Sequence, residues 1–429
     1  MTSTTITGAR TVSLRAVASA ADRIAAALAR PPRYRTVDMS PDSPRWWDQS
    51  LSRGAAGVAL LHAVRAADGH GSWDTVDAWM RRATADGLSA TPGSGLWFGA
   101  PAAAFAVQSG APDRYPRGAA ILRETVDRMT SVRVTMAAER IAAARRPERS
   151  EYDLVRGLTG FGAYLLLLDP DRPALHAVLR HLVRLTEPLP ADDSAGRAAP
   201  GWWAVDPPST TAGPEFAHGQ SDQGMAHGIA GPLALLALAL RAGVTVPGHA
   251  DALHRILDWF DQHRQRTADG VVWWPEHVTL HGLRTPADDP LPQQRSPRRP
   301  SWCYGTPGIA RAQQLAAIAL CDPQRQADAE DVLLSAASDP GQLSALSDPD
   351  LCHGWAGLLA TLHCAARDAA TPALATRLAE LLPVLVDEDR TLVPGRTCGL
   401  LSGPAGPALV LHTIATGRTG SWARCLLLA

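Results

Sequence analysis

The amino-acid sequence predicts an all-α protein built from repeated pairs of helices. Alanine and leucine supply most of the 46 % apolar residues, and runs of β-branched residues, which favour strands, are few. A short Gly-x-x-Gly pattern recurs along the chain, and an apolar segment rich in small residues follows it. Amphipathic segments with helical spacing precede most copies, at 13–30, 119–132, 174–187, 249–264 and 373–388.

The glycine pattern occurs seven times, which predicts seven helix pairs. Its copies begin at Gly54, Gly99, Gly157, Gly228, Gly305, Gly354 and Gly403, and the second copy has Ala102 in place of its second glycine. The last two intervals are 49 residues long, which is room for two helices and their connections. Such pairs could stack as an open superhelix or close into a ring. Unequal repeats and the lack of an obvious polar end repeat favour the closed ring.

The domain organisation follows from these repeats. Length alone would suggest two or three domains, but a ring of repeats predicts one domain over 1–429. The longest intervals contain proline-rich polar stretches near 187–223 and 278–300. We expect these stretches to form irregular loops on one rim of the scaffold.

Charge and hydropathy exclude several classes of protein. The 41 Lys and Arg residues balance 42 Asp and Glu residues, whereas a nucleic-acid-binding protein usually has a basic excess. The N-terminus has no apolar core of a secretory signal, and the longest apolar run, 233–240, is too short to span a bilayer. The six cysteines are all in the last third, where we expect thiols or metal ligands of a cytoplasmic protein.

Two cysteines and a histidine share positions in the repeat, and this predicts a zinc site. Cys303 and Cys352 each stand two residues before the first glycine of their copy. His353 stands one residue before that glycine, and His227 has the same place two copies earlier. Thiolates and a neutral imidazole suit Zn²⁺, and three protein ligands leave a fourth position open. The alternative is a pair of core cysteines with a capping histidine.

The remaining cysteines and histidines give weaker signals. Four cysteines are out of register with the pair and are predicted to be core thiols: Cys321, Cys364, Cys398 and Cys425. His218 and His277 are predicted to lie in loops, and we regard them as weaker candidates for the site.

A zinc ion held by two thiolates favours the activation of a substrate thiol. The two cysteine charges already neutralise the metal, so a third, substrate thiolate would bind in an anionic centre and stay nucleophilic. Water activation, typical of zinc hydrolases, is the other use of such a centre. His227, on the same rim, could transfer a proton to or from the reacting carbon.

These residues resemble a known family. The runs 301–308 (SWCYGTPG), 352–354 (CHG) and 226–228 (AHG) together are similar to the lanthionine synthetase C-like proteins, above all to the class I lanthipeptide cyclases. The runs 222–225 and 273–275 and the seven glycine motifs also fit this family. The resemblance covers residues from about 45 to 410.

The resemblance implies a fold and a reaction. The fold is an (α/α) toroid of seven inner and seven outer helices with one Zn²⁺ at one end. The reaction is the Michael-type addition of peptide cysteine thiolates to dehydroalanine or dehydrobutyrine, which forms (methyl)lanthionine thioether rings. The implied partners are a dehydrated precursor peptide of leader and core, a lanthipeptide dehydratase and an exporter. Association with a membrane would then be through such a complex.

The resemblance also assigns roles to residues. Cys303, Cys352 and His353 carry over as zinc ligands. His227 carries over as the acid that protonates the enolate or the base that takes the thiol proton. Asp153 matches an acidic position that orients this histidine or takes part in proton transfer.

Three of the assigned residues have plain structural alternatives, and for His227 the alternative is a cap on a neighbouring carbonyl. Arg299 matches a family arginine that stabilises the enolate oxygen. It could instead belong to a solvated loop cluster with Arg295 and Arg298. Asp153 could be a helix N-cap, a position that aspartate favours.

Other functions remain as alternatives. A non-catalytic member of the family could bind peptide or glutathione as an adaptor. A zinc-dependent prenyl transferase would use an Asp ligand and an aromatic funnel, and the chain has five Phe and five Tyr. A glycoside hydrolase would need two opposed carboxylates, and the sequence has no convincing pair.

Overall fold

The computed structural model describes residues 12–32, 47–188, 199–284, 294–387, 391 and 397–429. They form two compact units. Unit 1 takes Met1–Val126, Leu343–Cys425 and Ala429, and unit 2 takes Asp127–Gln342 and Leu426–Leu428.

Helices dominate both units. In chain order they are α1 Leu14–Ala27, α2 Ala55–Ala67, α3 Trp73–Thr84, α4 Ala100–Gly110, α5 Pro116–Ala142, α6 Arg149–Tyr152, α7 Leu158–Leu168, α8 Pro173–Leu185, α9 Ala230–Arg241, α10 His249–Gln262, α11 Leu280–Arg284, α12 Thr306–Ala319, α13 Pro323–Ala336, α14 Pro340–Ser344, α15 Trp355–Asp368, α16 Ala373–Leu381, α17 Pro383–Val386 and α18 Ala405–Thr416. Short 3₁₀ helices lie at Trp47–Gln49, Pro214–Phe216 and Ser421–Leu426.

The predicted helix pairs are present. After each glycine pattern comes a helix that is buried over most of its length, namely α2, α4, α7, α9, α12, α15 and α18. Helices α1, α3, α5, α8, α10, α13 and α16 lie between them and bury one face. Two of these, α3 and α13, were not predicted from the sequence, and the segment 373–388 divides at Pro383 because proline lacks the N–H that would continue a helix.

The glycines are needed because each helix start packs against the turn before it. A Cβ on Gly308 would lie 2.1 Å from the backbone oxygen of Trp302. A Cβ on Gly57 would lie 2.2 Å from the backbone oxygen of Leu51. Both contacts join a glycine to the carbonyl six residues earlier, and no side chain fits such a gap. The repeat is therefore a packing requirement of the turn that leads into each buried helix.

The last repeat packs against the first inside unit 1. Helix α18 packs against α1 and α2. The N–H of Leu400 donates to the oxygen of Leu51 at 2.8 Å, and the N–H of Leu401 donates to that of Ser52 at 2.9 Å. The terminal repeats of an open solenoid contact one neighbour each. These contacts therefore favour the closed arrangement over the open one.

Unit 2 contains four short strands that the sequence analysis did not predict. Strand β1 (Gln220–Asp222) pairs antiparallel with β4 (His277–Thr279), and β2 (Gln265–Arg266) pairs with β3 (Val272–Trp273). The first pair joins the ends of the two stretches predicted as loops, of which 189–198 and 285–293 lie outside the described residues.

No helix among the described residues has the length and apolar character needed to cross a membrane.

Replacing Gly308 with alanine tests the packing argument. The new Cβ meets a backbone oxygen that cannot move aside, so we expect Gly308→Ala to lower the free energy of unfolding by about 1–3 kcal/mol. Chemical denaturation measures this change. The control is Gly118→Ala in α5, where the nearest neighbour of the Cβ is 3.9 Å away and alanine should stabilise the helix by about 0.5–1 kcal/mol. Equal effects of the two changes would contradict the argument.

Candidate functional site

A histidine and an aspartate of unit 2 are joined by a short hydrogen bond. Nδ1 of His227 lies 2.7 Å from Oδ2 of Asp153. The Asp153 side chain is 2 % exposed and that of His227 is 31 % exposed. Because Nδ1 is engaged, Nε2 is the ring nitrogen available for chemistry. The structure thus brings these two predicted residues together.

The other carboxylate oxygen of Asp153 forms hydrogen bonds with the backbone that leads into α7. Oδ1 accepts hydrogen bonds from the N–H groups of Arg156 and Gly157, each at 2.7 Å. Asp153 directly follows α6 in an extended conformation, and Gly157 precedes α7. The carboxylate therefore closes the turn between the two helices with one oxygen and orients His227 with the other. Its capping role and its contact with the histidine are compatible.

The surroundings of His227 favour its protonated form. Burial alone would lower its pKa, but the hydrogen bond to Asp153 and the charges of Asp153 and Asp222 together raise that pKa above its ordinary value. The histidine is therefore suited to carry a proton near neutral pH.

Asp222 is a site residue that the sequence analysis did not single out. Its side chain is fully buried at the end of β1. Oδ1 accepts from the N–H of Gly224 at 3.0 Å, and Oδ2 accepts from the hydroxyl of Tyr304 at 3.0 Å. Arg149 and His277 approach Oδ2 to 3.4 Å and 3.6 Å. The sequence signal for this residue is its place in the run 222–225, which resembles the family.

Arg149 is held in place for this contact. Its Nε donates to Oδ2 of Asp206 at 2.9 Å, and its Nη2 donates to the oxygen of Pro207 at 2.7 Å. The guanidinium group is thereby fixed beside Asp222, and its positive charge offsets the cost of burying the negative carboxylate.

Tyr304 lies beside the predicted metal ligand Cys303. Burial and the negative charge of Asp222 raise the pKa of Tyr304 well above its ordinary value, so its hydroxyl keeps its proton. Its ring centroid lies 6.2 Å from that of His227. The hydroxyl, the carboxylate and the imidazole thus belong to one cluster.

Cys303 is tied to the segment that carries His227. Cys303 is 4 % exposed, and its backbone oxygen accepts from the N–H of Ala226 at 3.2 Å. A Cβ on Gly224 would lie 2.4 Å from the same oxygen, so only glycine fits there. A predicted thiolate ligand and the oriented histidine are therefore neighbours within unit 2.

Cys352 and His353 lie in unit 1, with their ligand atoms within 4.8 Å of each other. Two carboxylates face the imidazole, because Nε2 of His353 lies 3.8 Å from Asp350 and 4.0 Å from Asp348. The N–H of His353 also donates to Oδ1 of Asp350 at 3.2 Å. Asp350 therefore holds the backbone of His353, and both carboxylates place negative charge near its ring.

The other predicted residues show mixed outcomes. Arg299 is exposed, and its neighbour Arg298 donates to Glu276 at 2.8 Å. Its role in stabilising an enolate stays a prediction. Cys321 is exposed in the turn after α12, so its prediction as a core thiol was wrong. His277 lies in β4, so its prediction as a loop residue was also wrong.

Three other cysteine predictions can be compared with burial. Cys364 and Cys425 are buried as predicted, and Cys398 is half-buried. All six cysteines lie within the described residues, and none forms a disulfide.

Replacing Asp153 with asparagine tests the link to His227. Asparagine keeps an oxygen for the two backbone amides but removes the charge, so we expect the pKa of His227 to fall. The folded-state pKa is raised, so the pair stabilises the fold fully below the unfolded pKa of about 6.5. That stability is lost as the pH rises through the folded pKa, and Asp153→Asn should weaken this dependence. An NMR titration measures the pKa, and an unchanged value would contradict the assignment.

The fold has a close match among solved structures. A structure titled nisin cyclase aligns with 96 % of this chain and 97 % of its own length, with a TM-score of 0.75 and 20 % sequence identity. The match confirms the predicted all-α class with the (α/α) toroid fold.

Sequence comparisons point in the same direction. The nisin biosynthesis protein NisC of Lactococcus lactis subsp. lactis is 24 % identical over 211 residues. This alignment takes 49 % of the chain and spans about half of NisC, 48 % of its length. The family model for the lanthionine synthetase C-like protein matches residues 45–427, which is most of the chain. The chain therefore belongs to the lanthionine synthetase C-like family.

Proposed function

We propose that the protein is a zinc-dependent lanthipeptide cyclase. It would add peptide cysteine thiolates to dehydroalanine or dehydrobutyrine and so form (methyl)lanthionine rings. The observation that carries this proposal is the hydrogen bond between His227 and Asp153. The residue before His227, Ala226, is itself hydrogen-bonded to the backbone of Cys303. An adaptor that only binds peptide has no need of an imidazole oriented by a carboxylate beside a predicted thiolate ligand.

The donor set fits one Zn²⁺. Cys303, Cys352 and His353 would hold the ion, since two thiolates and one imidazole are a donor set that zinc accepts. The carboxylates of Asp348 and Asp350 lie near the His353 imidazole and would add negative charge beside a bound cation. When bound, the ion would lower the pKa of the substrate thiol and supply a thiolate at neutral pH.

His227 would then complete the addition. Attack of the thiolate on the β-carbon of a dehydroamino acid places negative charge on the carbonyl oxygen and the α-carbon. Nε2 of His227 would give its proton to the α-carbon, and the raised pKa of His227 favours the protonated form that this step needs. Asp153 would hold the ring and compensate the positive charge before the transfer.

Two further groups would assist this step. Arg299 is proposed to stabilise the developing enolate oxygen with its positive charge. Tyr304 would act indirectly, since its hydroxyl donates to the Asp222 carboxylate and helps to hold the cluster in place.

The proposed substrate is a dehydrated precursor peptide made of leader and core. A dehydratase would supply it, and an exporter would remove the product. The reaction would take place in the cytoplasm, where substrate and ligand cysteines stay reduced.

The metal proposal is tested by elemental analysis. We expect close to one zinc per chain in the purified protein, and a large loss on Cys303→Ala or Cys352→Ala because each change removes a thiolate ligand. Cys364→Ala in α15 is the matched control, since this buried thiol lies outside the donor set and its loss should leave the zinc content unchanged. A wild-type protein free of metal would refute the site.

The activity is tested with a dehydrated peptide that contains cysteine. We expect alkylatable thiols to disappear while the peptide mass stays constant, because the addition only joins two groups of one molecule. His227→Asn should keep its zinc but slow the reaction by about 10²-fold or more, since a general acid is lost. Thiols that persist when the cognate peptide is bound would support the adaptor instead.

A further inference from the structure

Unit 2 contains a second pair of an imidazole and a carboxylate, formed by His277 and Asp222. The two residues lie opposite each other in the antiparallel pair of β4 and β1. Nε2 of His277 is 3.6 Å from Oδ2 of Asp222. This nitrogen is buried and makes no hydrogen bond within the part of the chain that the structure describes. The pair is thus held by backbone register as well as by charge.

The second pair lies near Tyr304, as the first does. The ring centroid of Tyr304 is 5.6 Å from that of His277 and 6.2 Å from that of His227. Tyr304 follows Cys303 directly in the chain. Two imidazoles, each with its own carboxylate, therefore approach the residue next to a proposed zinc ligand.

The charges around Asp222 keep it ionised. Burial alone would raise the pKa of the Asp222 carboxyl, but its interactions with His277, His227 and Arg149 lower that pKa below its ordinary value. A buried anion at this place can accept a hydrogen bond from a ring nitrogen of His277 and so orient the ring.

The other groups near His277 are an aromatic ring and a carboxylate that has its own cationic partner. Phe216 packs edge-on against its ring, with centroids 5.6 Å apart. Glu276, the preceding residue, is paired with Arg298 at 2.8 Å, so its carboxylate is already compensated. Among the described groups, Asp222 is the anion that contacts His277 directly.

The proposed reaction contains two proton transfers, and they make opposite demands on a side chain. The thiol must lose a proton before the C–S bond forms, and the α-carbon must gain one afterwards. One histidine could serve both steps only by changing its protonation state in between. With two imidazoles in different surroundings, one can accept the thiol proton and the other can donate the proton to the α-carbon.

We propose that His277, held by Asp222, takes the proton of the substrate thiol, while His227 gives a proton to the α-carbon. The S–H bond breaks and an N–H bond forms on neutral His277. The C–S bond then forms, the C=C π bond is lost, and the proton of His227 passes to the α-carbon. The imidazolium of His277 and the neutral His227 return to their starting states through solvent. This inference rests on the proposed cyclase function.

His277→Asn tests the proposal, with His218→Asn as the matched control. His218 is exposed in a turn of the same unit, so its loss should not affect the rate. We expect His277→Asn to keep its zinc, to lower kcat by about 10²-fold at neutral pH, and to recover activity at higher pH or with added imidazole. These recoveries follow because the missing function is acceptance of a proton.

A second readout separates the two histidines. With dehydrobutyrine substrate, His277→Asn should keep the wild-type diastereomer ratio of the product, because His227 still delivers the proton to the carbon. His227→Asn should change that ratio. A pH profile of His277→Asn that parallels wild type, without rescue by imidazole, would overturn the proposal. Wild-type turnover of the same peptide separately tests the cyclase function.

Discussion

The contact on which the rest of the structure depends is the approach of a glycine to the backbone carbonyl six residues before it. Gly308 and Gly57 both show it. The contact folds the chain tightly into the start of a buried helix, so the residues just before each glycine are fixed in space. Cys303, His227 and His353 all occupy such positions. Tight backbone packing therefore sets the geometry that any chemistry at these turns can use.

Local pattern predicted most of the fold. The apolar helices and the glycine turns have short-range signals that a single sequence displays, and register within the repeat selected Cys303, Cys352, His353 and His227. Helix α13 was missed because its apolar face is interrupted by charged residues. The sequence was least informative about contacts between distant strands.

Asp222 and His277 illustrate why part of the site could not be predicted. They are 55 positions apart, and each lies in a strand of three residues that has no clear alternation of its own. Only the pairing of β1 with β4 makes them neighbours. Asp153 was correctly predicted to accompany His227 because the family resemblance supplied the long-range relation that periodicity lacks. The burial of Asp222 in a short strand marks it as a site residue, and this burial can be seen only in the folded structure.

The approach of a glycine to the carbonyl six residues earlier is found in the first, fourth, fifth, sixth and seventh repeats, so the turns of these repeats can carry different side chains on a similar backbone. The position two residues before the first glycine holds, in chain order, Ser52, Trp97, Val155, Ala226, Cys303, Cys352 and Leu401. Ser52, Cys303 and Leu401 occupy it in repeats that have the glycine contact, so a side chain there can change without a new backbone. A ligand or a proton carrier can thus be gained or lost in one repeat by a single substitution. Such a scaffold can acquire new chemistry by point mutation. The positions two residues before the first glycine are therefore places where a designer could install further metal ligands.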